Sequence, residues 1–179
     1  MPVNMKRMIA ETFADLAKEK NVDKITVKEL VEACHISRQT FYYHFQDIMD
    51  VIEWSARQVM QQMLAQSLRA ETPEEGMDIF VDFAVESSAL LRRLMHSQRR
   101  EQVERMVTEM IRAYLEEMLR NKAPEIEISY ADLEIALDFC TYGIAGVLLK
   151  SCDQAPLDEQ RLVRQLCRLL SGRMPAPEE

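Results

Sequence analysis

The sequence predicts an all-α protein, and three observations carry that prediction. Only four glycines occur in 179 residues, too few for β-rich architectures or for the Gly-rich loops that cradle phosphates. Apolar residues recur with a helical period over most of the chain. Between the periodic stretches stand Ser, Thr, Asn or Asp residues, each where a helix would begin. Hydrophobic residues make up 47% and charged residues 29%, the balance of a globular rather than a disordered chain. The expected layout is an N-terminal three-helix head over residues 1–47, a larger helical body over 48–172 and a disordered tail at 173–179 that ends Pro-Ala-Pro-Glu-Glu.

The first helix is expected from about Asn4 to Lys20. Met5, Ile9, Phe13 and Leu16/Ala17 form its apolar stripe, while Lys6, Glu11, Asp15 and Lys18 face water. Its main role is to pack behind the segment that follows, although Lys6 and Arg7 at its start also stand where an anion can be touched. Asn21 is read as a left-handed closing residue in place of glycine.

The next stretch, Ile25 to Phe45, organises the rest of the chain. Thr26-Val27-Lys28-Glu29 forms a capping box: Thr26 accepts from the Glu29 N–H, and the Glu29 carboxylate reaches back to the Thr26 N–H. Ile25 and Leu30 close a hydrophobic staple over that start. Ser37 caps a second helix, with Ile36 and Phe41 as its staple. The intervening Cys34-His35-Ile36 is too short for a flexible loop, so the helices cross at a fixed angle. His35 is the expected positive-φ residue of that turn, at a cost of about 1–2 kcal/mol. This is a helix-turn-helix pattern.

On the second helix Phe41 and Phe45 share the inward face. Gln39, Thr40 and Tyr43 fall opposite, Tyr42 and His44 flank them, and Arg38 projects from the first turn. Arg, Gln and Thr suit base edges in a major groove, and Tyr hydroxyls and imidazole suit phosphate oxygens. On these residues alone two readings stand: nucleic-acid binding, or a helical bundle with exposed aromatics.

The run Ser37-Arg38-Gln39-Thr40-Phe41-Tyr42-Tyr43-His44-Phe45, preceded by Ile25 to Ala33, resembles the DNA-binding domain of the TetR family of bacterial transcriptional regulators. The resemblance covers about Met8 to Trp54 and beyond that is confined to the helical layout. It implies a homodimer on a palindromic double-stranded DNA operator, with a C-terminal ligand-binding and dimerisation body that takes a small-molecule effector. The DNA-contact positions it carries over are Thr26, Lys28, Ser37, Arg38, Gln39, Thr40, Tyr42, Tyr43 and His44. Two positions depart from the family pattern: His35 stands where Gly is common, and Ile48 where a phosphate-contacting Lys is common. Gln39 to Phe45 and the following Trp54 also resemble a subgroup that includes regulators of dihydroxyacetone kinase operons. That subgroup brings a second reading, a co-regulator working through a partner protein.

Asp47 is the expected N-cap of a connecting helix that carries Ile48, Val51, Ile52, Val59, Met63 and Leu64 to about Ala70. Thr72-Pro73-Glu74-Glu75 marks the next start, with Pro at the first helical position. That helix bears Met77, Phe80, Val81, Ala84, Leu91 and Met95 to about Ser97. After Gln98-Arg99-Arg100, a further helix carries Val103, Met106, Val107, Met110, Ile111, Tyr114, Leu115 and Met118, and Pro124 ends it. Ser129 caps a helix through Leu133, Leu137, Ile144, Val147 and Leu148, with Ile128 as its staple.

Gly143 and Gly146 lie inside that helix, each at a cost of about 0.8–1 kcal/mol relative to Ala. Close approach of a neighbouring helix would offset it. A final helix spans about Leu157 to Ser171, with Leu162, Val163, Leu166, Leu169 and Leu170 on one side. The family resemblance makes these last two helices the dimer interface; the alternative is that both fill a monomer core. Met60, Met63, Met77, Met95, Met106 and Met110 fit either an adaptable effector cavity or ordinary core.

Net charge is −8, which opposes phosphate binding. Residues 1–50 carry seven basic and eight acidic groups, so most of the excess belongs to the body. Neither a signal peptide nor an apolar run of membrane-spanning length is visible. Cys34, Cys140, Cys152 and Cys167 lack metal-ligand spacing and read as reduced thiols of a cytoplasmic protein. The histidines are His35, His44 and His96, and no hydrolase, zincin or phosphate-loop motif accompanies them. No catalytic residue, metal site or cofactor is expected. A small helical enzyme or ligand carrier with an incidental helix-turn-helix is the remaining alternative.

Overall fold

The computed structural model describes residues 4–122, 128–153, 165 and 168. Among these the chain forms seven α-helices and no strand. They are α1 (Met5–Glu19), α2 (Val27–Ala33), α3 (Arg38–His44), α4 (Ile48–Ser67), α5 (Pro73–Met95), α6 (Arg100–Lys122) and α7 (Tyr130–Asp153), with a 3-10 turn at Val22–Lys24 between α1 and α2. The final helix expected from Leu157 and the tail at 173–179 lie outside the described residues, apart from Gln165 and Arg168, as does Pro124.

The helix starts follow the capping residues. Thr26 accepts from Glu29 N–H at 3.2 Å, Ser37 from Thr40 N–H at 3.0 Å and Asp47 from Asp50 N–H at 2.9 Å. Thr72 accepts from Glu75 N–H at 3.2 Å and Ser129 from Asp132 N–H at 3.1 Å. Each cap satisfies one of the amides that a helix N-terminus leaves without an internal partner.

Three helices of the head and three of the body share one apolar core. Ile9, Phe13 and Ala17 of α1, Leu30 of α2, and Phe41 with Phe45 join Val51 and Ile52 of α4 and Leu94, Met95 and Val103 at the α5–α6 junction. A second cluster gathers Ile111 of α6 with Ile144 and Ala145 of α7, against Phe80 and Leu148. Tyr114 is buried beside it, donating to Ser67 Oγ at 3.0 Å, with its ring 6.0 Å from that of Phe80. Burial raises the Tyr114 phenol above its ordinary pKa, and the bond to Ser67 offsets part of that rise. Of the methionines, Met49, Met63 and Met95 are buried, and Met106 packs against the larger cluster.

Several local expectations need correction. Asn21 is extended, at φ −63°, and caps the 3-10 turn through Asp23 N–H rather than closing α1 in a left-handed conformation. The Glu29 carboxylate is drawn to Lys20 Nζ, a closer and charged donor than the Thr26 N–H. Lys6 is half-buried rather than facing water. Val59 is exposed rather than part of the buried stripe of α4. Gly143 and Gly146 are exposed, and a Cβ at either would meet nothing within 4 Å, so among the described residues no helix closes on them.

Candidate nucleic-acid interface

The turn between α2 and α3 fixes how α3 is presented. Among the described residues His35 alone, glycines apart, has a positive φ, 53°. Its N–H donates to Glu32 O at 3.2 Å, and the Ile36 N–H donates to Val31 O at 3.0 Å. These two bonds form a Schellman closure in which His35 takes the left-handed position usually given to glycine. Ile36 and Val31 both pack into the core beneath it. The direction in which the chain leaves α2 is therefore set by two hydrogen bonds and an apolar contact.

α3 is anchored from one side only. Phe41 is fully buried, and Phe45, the C-cap residue, is buried against both Phe41 and Trp54, with ring centroids at 6.0 and 6.1 Å. The opposite side is open. Arg38 and Gln39 are exposed, Tyr42 is 58% exposed and Tyr43 84% exposed, while Thr40 and His44 are half-buried. Tyr43 meets His44 edge to face at 5.0 Å, and Tyr42 meets Phe41 in the same way at 5.4 Å. These contacts stiffen the aromatic row. At the other helix start, Thr26 and Lys28 are exposed.

All nine residues singled out from the sequence thus belong to α2, α3 and their caps. Ser37 and Thr26 differ from the rest because their hydroxyls accept cap bonds, and the Ser37 hydroxyl is further paired with Thr40 Oγ1 at 2.8 Å. They present helix N-termini, whose free amides attract anions.

The cations of the head divide into two groups, which its near-zero net charge conceals. Arg7 pairs with Glu11 at 2.7 Å, Lys18 with Asp15 at 2.8 Å, and Lys20 with Glu29. Lys6, Lys24, Lys28 and Arg38 make no ion pair among the described residues. Asp23 is turned away toward the body: its carboxylate accepts from Gln98 N–H at 3.0 Å and faces Arg99 Nη1 at 3.3 Å. Arg93 of α5 donates to Ala17 O, in the last turn of α1, at 2.6 Å. A cation thus closes the C-terminal end of α1, and a carboxylate sits at the start of α6, both favoured by the helix dipoles. Sequence reading missed this polar clasp, since partners 75 or 76 residues apart leave no local signal.

It also missed the outer face of α7. Ile135, Phe139 and Tyr142 are 68%, 77% and 67% exposed, and with Gly146 they recur at helical spacing. The inner face holds the expected Leu137, Ile144 and Leu148. Arg112 ties this helix to α6 through Glu134 at 2.7 Å and Asp138. Among the described residues no cluster of three or more His, Cys, Asp or Glu is placed to hold a metal ion. No described helix is long and apolar enough to cross a membrane.

Comparisons with known proteins agree with this geometry. Residues 9–53 match the model for bacterial regulatory proteins of the tetR family, and residues 71–172 match a transcriptional regulator C-terminal region of the same group. No curated protein sequence matches the chain. Among solved structures, the dihydroxyacetone kinase operon activator DhaS is similar, with a TM-score of 0.67 at 16% identity over 95% of this chain and 96% of that one. A tetR-family transcriptional regulator from Streptomyces coelicolor gives 0.64 at 17% identity, over 93% and 81%. The fatty acid degradation regulator FadR from Bacillus halodurans gives 0.63 at 17% identity, over 96% and 97%. With head and body both matched, the chain belongs to the TetR family of transcriptional regulators.

Proposed function

We propose that this regulator binds duplex DNA as a homodimer, reading a palindromic operator with the outward face of α3, under the control of a small-molecule effector held by the body. The observation that carries the reading is that face itself. Arg38, Gln39, Tyr42 and Tyr43 stand exposed on a helix locked from behind by Phe41 and Phe45. Arg38 and Gln39 fit base edges, and Thr40, Tyr42, Tyr43 and His44 fit sugar and phosphate oxygens. Thr26, Lys28 and Ser37 place further donors at the two helix starts.

Dimerisation supplies a second copy of these contacts and so doubles a phosphate term that one neutral head provides only weakly. The outer face of α7 supports it: large apolar side chains at 135, 139 and 142 lie exposed beside Gly143 and Gly146, which leave room for a partner helix. Effector control is supported by the clasp joining α1 and the 3-10 turn to the α5–α6 junction, because a shift there moves the head. The function needs no catalytic residue, cofactor or metal, and it places the protein with the DNA in the cytoplasm.

A second reading, a co-regulator that reaches DNA through another protein, draws on the lack of any Lys or Arg between Arg38 and Arg57. A titration on the duplex flanking the protein's own gene separates the two. The DNA-reading dimer gives steeply salt-dependent binding that Arg38→Ala and Tyr43→Ala each weaken by about 1–3 kcal/mol. Absence of binding by the folded protein until a second protein is added would establish the co-regulator.

A further inference from the structure

The end of α3 and the start of α4 carry no positive charge of their own. No Lys or Arg occurs from residue 39 to 56, where Asp47, Asp50 and Glu53 fall. The fold brings a cation to this seam from elsewhere. Lys6, in the first turn of α1, lays its ammonium over the Phe45 ring, 5.2 Å from the centroid. Phe45 is the residue that closes α3, three positions beyond Tyr42.

The surroundings leave that ammonium available. Arg7, its neighbour, is taken up by Glu11. The acidic groups of the seam have other partners: Asp47 accepts from Asp50 N–H, Asp50 from Gln46 N–H at 3.0 Å, and Glu53 faces Arg57 at 3.3 Å. Lys6 itself makes no ion pair among the described residues, and the half-buried side chain has its ammonium over the aromatic face. A lysine positioned by cation–π attraction, with no carboxylate neutralising its charge among the described residues, is equipped to meet an anion.

We propose that Lys6 is a DNA-backbone anchor, a phosphate-contacting residue that α1 lends to the C-terminal end of the recognition helix. The proposal rests on the DNA-binding reading above. It departs from a helix-turn-helix that draws all its backbone contacts from its own two helices, and it assigns the half-buried Lys6 a role beyond covering Phe45.

The test compares wild type, Lys6→Met and Lys6→Arg on two duplexes, one of random sequence and one flanking the protein's own gene, over a range of salt. Met keeps a long apolar side chain but removes the charge and its cation–π contact with Phe45, so the urea unfolding midpoint is read beside the binding to tell lost stability from a lost phosphate contact; Lys6→Gln serves if the Met variant fails to fold. Lys6→Met is expected to weaken both duplexes alike and to reduce the slope of log K against log salt by about 0.9 per protomer. Lys6→Arg is expected to keep the wild-type slope. A wild-type slope in Lys6→Met, even with a lowered unfolding midpoint, overturns the anchor and leaves Lys6 as packing. Failure of the wild type to bind either duplex overturns DNA reading itself, and the anchor with it.

Discussion

At residue 35 a histidine takes a left-handed conformation that costs an L side chain about 1–2 kcal/mol. His35 is exposed and its backbone bonds suit any residue at φ 53°. Replacing it by glycine removes the steric cost while adding chain entropy to the unfolded state. His35→Gly is therefore expected to stabilise the protein by roughly 0.5–1 kcal/mol, read as a raised urea midpoint with unchanged slope. A β-branched residue there is expected to destabilise it. This position was legible in advance because the turn is so short: three residues between a helix end and a serine cap leave few backbone routes. The side chains of α3 were legible for the same local reason, since Phe41 and Phe45 mark the inward face and thereby the outward one. The placement of Lys6 over Phe45 was not, because helical periodicity sets Lys6 on a polar face and says nothing of an aromatic ring arriving from another helix.

α3 has seven residues, a length at which an isolated helix is marginal in water. Its persistence rests on the Ser37 cap and the burial of Phe41 and Phe45. The orientation of the head against the body rests on other elements. Asp23 is 21% exposed and accepts from a backbone amide while pairing with Arg99. Asp23→Ala removes charge-assisted bonds at a half-screened site, so a destabilisation of about 1–3 kcal/mol is expected in urea unfolding, with Asp23→Asn intermediate. A wild-type midpoint in Asp23→Ala would show that the clasp carries no stability. α7 teaches a different lesson. It is apolar on both sides, so the pattern that identifies a buried stripe elsewhere cannot choose between faces here. Leu133, Leu137, Ile144, Val147 and Leu148 were picked out as its apolar residues without a choice of face; Leu137 and Ile144 prove buried, and Ile135 and Phe139 left no mark against that background.

For the whole molecule, the outer face of α7 gives the test of assembly. Phe139 is 77% exposed, so a charge there disturbs little within one chain. Phe139→Asp is expected to leave helicity unchanged and to convert a dimer to a monomer in sedimentation at micromolar concentration; a dimer that persists would move the interface elsewhere. The sequence by itself determined the helical class, the helix starts, the turn at His35 and the polar face of α3. All of these depend on interactions within about four residues, which composition and spacing record directly. Tertiary structure alone decided the Arg93 and Asp23 clasp, the placement of Lys6 over Phe45 and the choice between the two apolar faces of α7. Each depends on which distant element arrives beside a residue, and packing in three dimensions makes that choice.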